Sequence, residues 1–337
     1  MPRNVRLGLT IALGFALSAT LGWLVLRRVD LEGLSASLRQ ASLGLLALSI
    51  LTKTAGLACM GWRASILLSP IRPVSPALGF RGQLLGFGAN NVLPLRIGEL
   101  AKADYLARLG SLPRASALAA AAAERVLDAV CLLGLLALVA PVALPRLEHR
   151  STLVASVLTV AAAGGAAWWL AAHPSALGRL LARFAGRLGW SGGEGASRLA
   201  DSFSRGLVGL ASARVTARAL AASLLYWLSS LVGVHLWIRA FALELPWYAP
   251  AVLVVFLAFG TALPAAPGFI GTWDYFFVMG LAVFAVPPET ATAVAIAGHA
   301  VAMIPLTIAA GALLPGELGR AADFLRGRLR DPERESR

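Results

Sequence analysis

Six apolar runs of about 20 residues, near 7–26, 41–61, 117–140, 151–172, 217–240 and 289–314, constrain this chain more than any other feature. A run of that length crosses the hydrocarbon core as a helix, and a helix satisfies its own backbone N–H and C=O groups where no water can. The composition agrees. Charged residues make up 14% of the chain, against about a quarter in a soluble domain. An all-α integral membrane protein is therefore expected. Residues 7–26 follow Arg3 and Arg6 but exceed the apolar core of a secretory signal, so they read as an uncleaved first span.

Two further stretches, at about 76–110 and 249–286, are broken at their centres by proline and glycine. Residues 87–105 read FGANNVLPLRIGELAKADY and residues 259–275 read FGTALPAAPGFIGTWDY. Phe-Gly, Leu-Pro, Ile-Gly and Asp-Tyr recur in the same order, with small insertions between them. Upstream, Trp62-Arg63-Ala64 before Pro70 resembles Trp237 and Arg239-Ala240 before Pro246. The pattern reads as a degenerate internal duplication. A proline inside a helix removes a hydrogen bond and clashes with the preceding turn. Each stretch is thus expected to be a broken or re-entrant helical hairpin, giving about eight membrane segments with the six full spans.

The net charge of +13 is carried between the spans and at the termini, where basic residues set orientation; it does not call for nucleic acid. Segment 173–216 carries Arg179, Arg183, Arg187, Arg198, Arg205 and Arg214 against Glu194 and Asp201, and the tail from Arg320 is also arginine-rich. Both are expected in the cytoplasm, which puts both termini on the cytoplasmic side of the plasma membrane. The first hairpin then opens from the cytoplasm, flanked by Arg63, Arg72, Arg81, Arg108 and Arg114, and the second from the opposite side. The resulting scheme is one polytopic domain over 1–337, with inverted repeats at 41–140 and 217–314. A basic amphipathic linker covers 173–216 and a basic tail 315–337. Arg179, Arg183 and Arg187 share one helical face, suited to anionic lipids of the inner leaflet. Trp23, Trp62, Trp168, Trp169, Trp237 and Trp247 read as interfacial anchors.

Charges inside spans mark a substrate path or a buried pair. Lys53 lies in the second span and His299 in the last. Glu124 and Asp128 share a face of the third, beside Arg125. Arg96, Glu99, Lys102 and Asp104 follow the first break. A half-helix beginning near Ile97 would offer free N–H groups and a positive dipole end to a phosphate or carboxylate. The second break, 264–271, offers the same device with fewer charges. Salt bridges of Arg96 or Lys53 with Glu124 or Asp128 are the structural alternative. Lys53 and His299 are candidates for a coupling site or buried pair. Cys59 and Cys131 sit in apolar runs, so no disulfide framework, metal or cofactor is expected.

Three ordered motifs, Asn90-Asn91-x-x-Pro94-x-Arg96-x-Gly98-Glu99, Glu124-Arg125-x-x-Asp128 and Pro264-x-x-Pro267-Gly268-x-x-Gly271, resemble the lysylphosphatidylglycerol synthase transmembrane family, also described as flippase-like. The resemblance spans nearly the whole chain. It implies a lipid-handling domain, as in the bacterial multiple peptide resistance factors, where such a domain moves aminoacylated phosphatidylglycerol between leaflets. A separate soluble domain makes that lipid there, and the chain ends about 20 residues after its last span, so synthase activity is not carried over. The family often has a second glycine where Phe269 stands, a glutamate where Asp274 stands and an arginine near His299.

The leading expectation is a flippase-like transporter of an anionic or zwitterionic phospholipid or a polyprenyl-linked glycolipid, without enzymatic activity. Its head group would meet Asn90, Asn91, Arg96, Glu99, Lys102, Glu124, Arg125, Asp128, Pro264, Pro267, Gly268, Gly271 and Asp274, with Arg96, Lys102 and Arg125 as phosphate partners. The alternative is a membrane glycosyltransferase or lipid transferase using a polyprenyl-phosphate donor, for which Asp30 and Glu32 form a carboxylate pair. A third is a non-transporting scaffold. The candidate protein partners are a lipid-modifying enzyme and a second copy of the chain.

Overall fold

The computed structural model describes residues 3–27, 29–94, 96–143, 212–263 and 265–325. The span expected at 151–172, nearly all of the linker at 173–216, the end of the tail, Trp168, Trp169 and Pro264 lie outside them. Every regular element among the described residues is helical. In chain order these are α1 (Arg3–Leu26), α2 (Leu31–Gln40), α3 (Leu43–Leu68), α4 (Pro76–Val92), α5 (Gly98–Gly110) and α6 (Arg114–Ala143). After the segment that is not described come α7 (Ala213–Ala240), α8 (Ala249–Ala262), a single 3₁₀ turn at Pro267–Phe269, α9 (Thr272–Ala282), α10 (Pro288–Leu313) and α11 (Pro315–Leu325).

Helices α3, α7 and α10 are long and apolar enough to cross a membrane, and α1 with α2, bent by 87°, makes a fourth if the pair is counted as one. The expected total of about eight is not reached among these residues. Helix α6 covers the span expected at 117–140, but Glu124, Arg125 and Asp128 interrupt its centre. The bend before α2 has a local cause. Asp30 caps that helix, accepting N–H bonds from Glu32 at 3.3 Å and Gly33 at 2.9 Å. One half of the carboxylate pair proposed for transferase chemistry thus acts as a helix cap.

The chain divides into two compact units. The first comprises Met1–Thr54, Leu84–Ala101 and Ser229–Arg337; the second comprises Ala55–Gln83 and Lys102–Leu228. In the first, α8 and α9 pack as a hairpin, α9 also packs on α1 and α10, and α10 packs on α2 and α11. Its core holds a ring cluster: Trp273 stacks on Phe277 with centroids 5.2 Å apart, and Trp237 meets both at 5.9 Å. Trp237 is 6% exposed and donates to Ser49 Oγ at 2.9 Å, so it is a core residue and not the interfacial anchor expected. Trp23 and Trp247, at 59% and 80%, remain exposed as anchors require.

In the second unit, α3 and α4 touch backbone to backbone, since a Cβ on Gly79 would collide with the Gly61 carbonyl. Around that contact lies an apolar core of Leu67, Leu68, Leu106, Leu127 and small residues such as Ala119 and Ala222.

Two glycines contrast a position that admits no other residue with one that does. Gly271 sits at φ 85°, and a Cβ there would strike the Ser18 carbonyl, whereas Gly311 in α10 faces open space. Gly271→Ala is expected to cost about 2 kcal/mol or more and to lower the melting temperature in detergent. Gly311→Ala should leave it unchanged or raise it slightly. Equal melting temperatures for the two variants would contradict this account of the break.

Candidate functional site

The two breaks meet inside the first unit. Helix α4 ends at Val92 and α5 begins at Gly98. Asn90, near the end of α4, turns its Oδ1 onto the Gly98 N–H at 2.8 Å, and Glu99 N–H reaches the Arg96 carbonyl at 3.4 Å. The free N–H groups expected near Ile97 are therefore partly occupied by the chain itself. The second break does the same. Asp274 Oδ2 accepts the Gly271 N–H at 2.9 Å, and Ser18 Oγ accepts the Ala266 N–H at 2.8 Å. His299 closes the other side, with Nδ1 2.8 Å from Asp274 Oδ1 and Nε2 2.7 Å from the Gly268 carbonyl. Trp273 lies flat against the His299 ring at 4.6 Å.

Both ring nitrogens of His299 face oxygen acceptors. A neutral imidazole donates only once, so both bonds are made only when the ring or the carboxyl carries an added proton.

The breaks also share a conformation. Arg96 has φ 55° and Phe269 has φ 58°, values costly for side chains with a Cβ. Each stands two residues before the glycine that opens the next helix, and the Arg96 guanidinium lies 5.2 Å from the Phe269 ring centre. Gly268, at φ 68°, sits opposite the Asn91 carbonyl.

Beside this junction is a partly open cavity of about 550 Å³. Gly22, Val25 and Leu26 of α1 and Ile270 of the second break form much of its apolar wall. Its polar groups are Asn91, Asp274, Thr292, His299 and Thr307. Asn91 Nδ2 donates to Thr307 Oγ1 at 2.8 Å and to the Met303 carbonyl at 3.3 Å, while its Oδ1 is buried without a partner. Thr292 Oγ1 is likewise buried and unpartnered.

The other predicted residues gather in the second unit. Glu124 and Asp128 do share a face of α6, but their main cation is Arg63, a residue read from sequence as a cytoplasmic flank. Arg63 is fully buried in α3. Its Nη1 donates to Asp128 at 2.5 Å and to Ser223 at 3.0 Å, and its Nη2 lies 3.6 Å from Glu124. Lys102 reaches Glu124 at 2.8 Å and Gln83 donates to both oxygens of the same carboxylate at 3.1 Å. Arg125 stays half-exposed, 3.4 Å from Asp128. Two buried cations and two acids leave this network neutral, with Arg125 at its edge.

Lys53 sits 5.3 Å above the Phe87 ring, and Asp104 pairs with Arg108 and Arg114, each at 2.8 Å. Sequence reasoning missed Arg63, Gln83, Ser223, Ser18, Thr292 and Thr307. For Arg63 a signal existed. Helix α3 runs to Leu68, seven residues beyond the expected end at 61, which carries Arg63 into the helix ten residues after Lys53.

Long apolar helices, broken helical pairs with internally satisfied ends and a buried ionic network define a multi-pass α-helical membrane protein. The chain belongs to the family of the lysylphosphatidylglycerol synthase TM region, whose model matches residues 11–310, and is thereby a membrane protein related to lipid. No curated protein matches it.

Removing one member of a buried ion pair strands the other, at a cost of about 3–5 kcal/mol. Arg63→Met should therefore lower stability by that order, and Arg63→Met with Asp128→Leu should recover part of the loss. A double-mutant cycle on thermal unfolding checks this; strictly additive losses would show that the pair is not coupled.

Proposed function

We propose that this protein moves an anionic or zwitterionic phospholipid, or a polyprenyl-linked glycolipid, between the leaflets of the plasma membrane. One observation carries the reading: the cavity of about 550 Å³ in the first unit joins apolar walls to buried polar side chains at a pair of broken helices. A lipid needs both surfaces, because its head group must leave water while its chains stay in hydrocarbon. Broken helices at matched positions of two halves are where transporters build such sites. The proposal includes two related, inverted repeats, read from the Phe-Gly, Leu-Pro, Ile-Gly and Asp-Tyr pairs that recur in the two broken stretches.

Roles follow from accessibility. Arg96 in the first unit and Arg125 in the second each keep an exposed guanidinium group, and each is a candidate phosphate contact within its own unit. Lys102, Glu124 and Asp128 act with Arg63 to hold the scaffold. His299 and Asp274 form a proton-holding pair, which suits coupling of transport to a proton gradient. The arginine-rich segments 173–216 and 320–337 favour cytoplasmic termini. The activity is transport without a catalytic step, and a lipid-modifying enzyme or a second copy of the chain is the protein partner.

The test is leaflet access in liposomes. Head-group-labelled phosphatidylglycerol, lysylphosphatidylglycerol or a short polyprenyl-phosphate sugar is reconstituted with the protein, and the label is quenched from outside. Wild type should remove the protection of inner-leaflet label. Arg96→Ala should slow this by about ten- to a hundredfold, the range of one charge-assisted hydrogen bond. No movement beyond protein-free liposomes, with folded protein, would overturn the proposal.

A further inference from the structure

The polar side chains of the cavity form a ladder along α10. Thr292, His299 and Thr307 are seven and eight residues apart, so at 1.5 Å per residue they stand about 10 and 12 Å from one another along the axis. At 3.6 residues per turn they fall on one face, within about 80° of arc. Asp274 joins the middle rung through His299, and Asn91 joins the last through Thr307. The cavity follows this face from Thr292 to Ile308, about 24 Å, most of the roughly 30 Å hydrocarbon core. Ile296, Ile304 and Ile308, 38 to 65% exposed, supply an apolar rim along it.

The chemistry of the rungs selects what they hold. Asp274 Oδ2 accepts the Gly271 N–H, Asp274 Oδ1 lies 2.8 Å from His299 Nδ1, and His299 Nε2 faces the Gly268 carbonyl, so each of these atoms already has a partner in the chain. Unused capacity lies at the outer rungs, in Thr292 Oγ1, whose residue is 1% exposed, and Asn91 Oδ1. Both groups are neutral. An unpaired buried oxygen costs about 1–3 kcal/mol, which a ligand hydroxyl would relieve. No lysine or arginine among the described residues lines the cavity to hold a phosphate, and the one carboxylate among them that does, Asp274, has a partner in the chain on each oxygen.

We infer that the ladder on α10 is a track for the uncharged, hydroxyl-bearing part of a lipid head group, a sugar or a glycerol, and that Thr292 and Asn91 are its specificity-determining residues. This rests on the transport reading above and deepens it. The phosphate of such a lipid is held outside the cavity, and its chains run along the isoleucine rim.

The experiment measures equilibrium binding in detergent and leaflet transfer in phosphatidylcholine liposomes with four labelled lipids. Glucosyl-diacylglycerol carries a sugar, phosphatidylglycerol a glycerol, phosphatidylethanolamine an ammonium and phosphatidic acid a bare phosphate. Thr292→Val should weaken binding and transfer of the two hydroxyl-bearing lipids about five- to tenfold, the worth of one neutral hydrogen bond. It should leave the other two unchanged and not lower the melting temperature, since the lost hydroxyl had no partner. Thr292→Ser, which keeps the hydroxyl, should behave as wild type. Preference for the sugar over the glycerol, or the reverse, identifies the head group. Hydroxyl-selective binding without transfer supports the site and overturns the transport reading alone. Tightest binding of the ammonium or phosphate lipid, or a Thr292→Val effect that is absent or equal on all four, overturns the inference.

Discussion

A helix broken inside an apolar protein leaves N–H and C=O groups that water cannot reach, and each such group costs several kcal/mol unless the chain supplies a partner. Much of the first unit is arranged to supply them. Asn90 takes the Gly98 N–H, Asp274 the Gly271 N–H, Ser18 the Ala266 N–H and His299 the Gly268 carbonyl. These partners come from α1, α4, α9 and α10, so closing the breaks also ties those helices together. The junction is narrow enough that Gly271 lies against the Ser18 carbonyl and Gly268 against that of Asn91. The cavity lies beside the same junction because helix breaks bring polar side chains to a depth where apolar helices alone would bring none.

The second unit meets a different demand, that of charge away from water. Arg63 and Lys102 are buried among Glu124 and Asp128, and Gln83 and Ser223 complete their hydrogen bonding. Such a network stabilises less than its short distances suggest, because desolvation offsets most of the attraction. What it provides is registry: α3, α5 and α6 come together in one alignment that pairs every buried charge. A function in head-group binding asks for accessible charge, and of this cluster only Arg125 retains it.

The sequence made the all-helical membrane class legible, since run length and scarcity of charge leave few other solutions. The breaks were legible for the same kind of reason: Pro94, Gly98, Pro267 and Gly271 interrupt otherwise apolar stretches, and helix ends fall beside them. The site was legible as a set of residues and not as a set of partners. Spacing along α6 put Glu124 and Asp128 on one face, but the identity of their cation depends on how far α3 extends, and helix boundaries are the least determined feature of a sequence. The use of Asn90 and Asp274 as caps was hidden because both motifs resemble anion sites, and a side chain that occupies an N–H looks the same in sequence as one that frames it. Thr292 and Thr307 carried no signal, since threonine in an apolar helix usually bonds its own backbone. Thr307 does so, and Thr292 does not.

Phe269, Asp274 and His299 stand together at the second break. Phe269 has a φ of 58°, a conformation that suits glycine better than a residue with a side chain. The strain of keeping a side chain there, about 1–2 kcal/mol, is set against the stack that the ring makes with Arg96, itself in the same conformation. Asp274 and His299 meet each other at 2.8 Å, an acid facing a base, and a longer or shorter side chain on one partner alone would break that fit. The His299 ring also stacks on Trp273, which itself stacks on Phe277. The polar closure of the second break is thus held in register by the aromatic core of the same unit, so the break and the core depend on one packing.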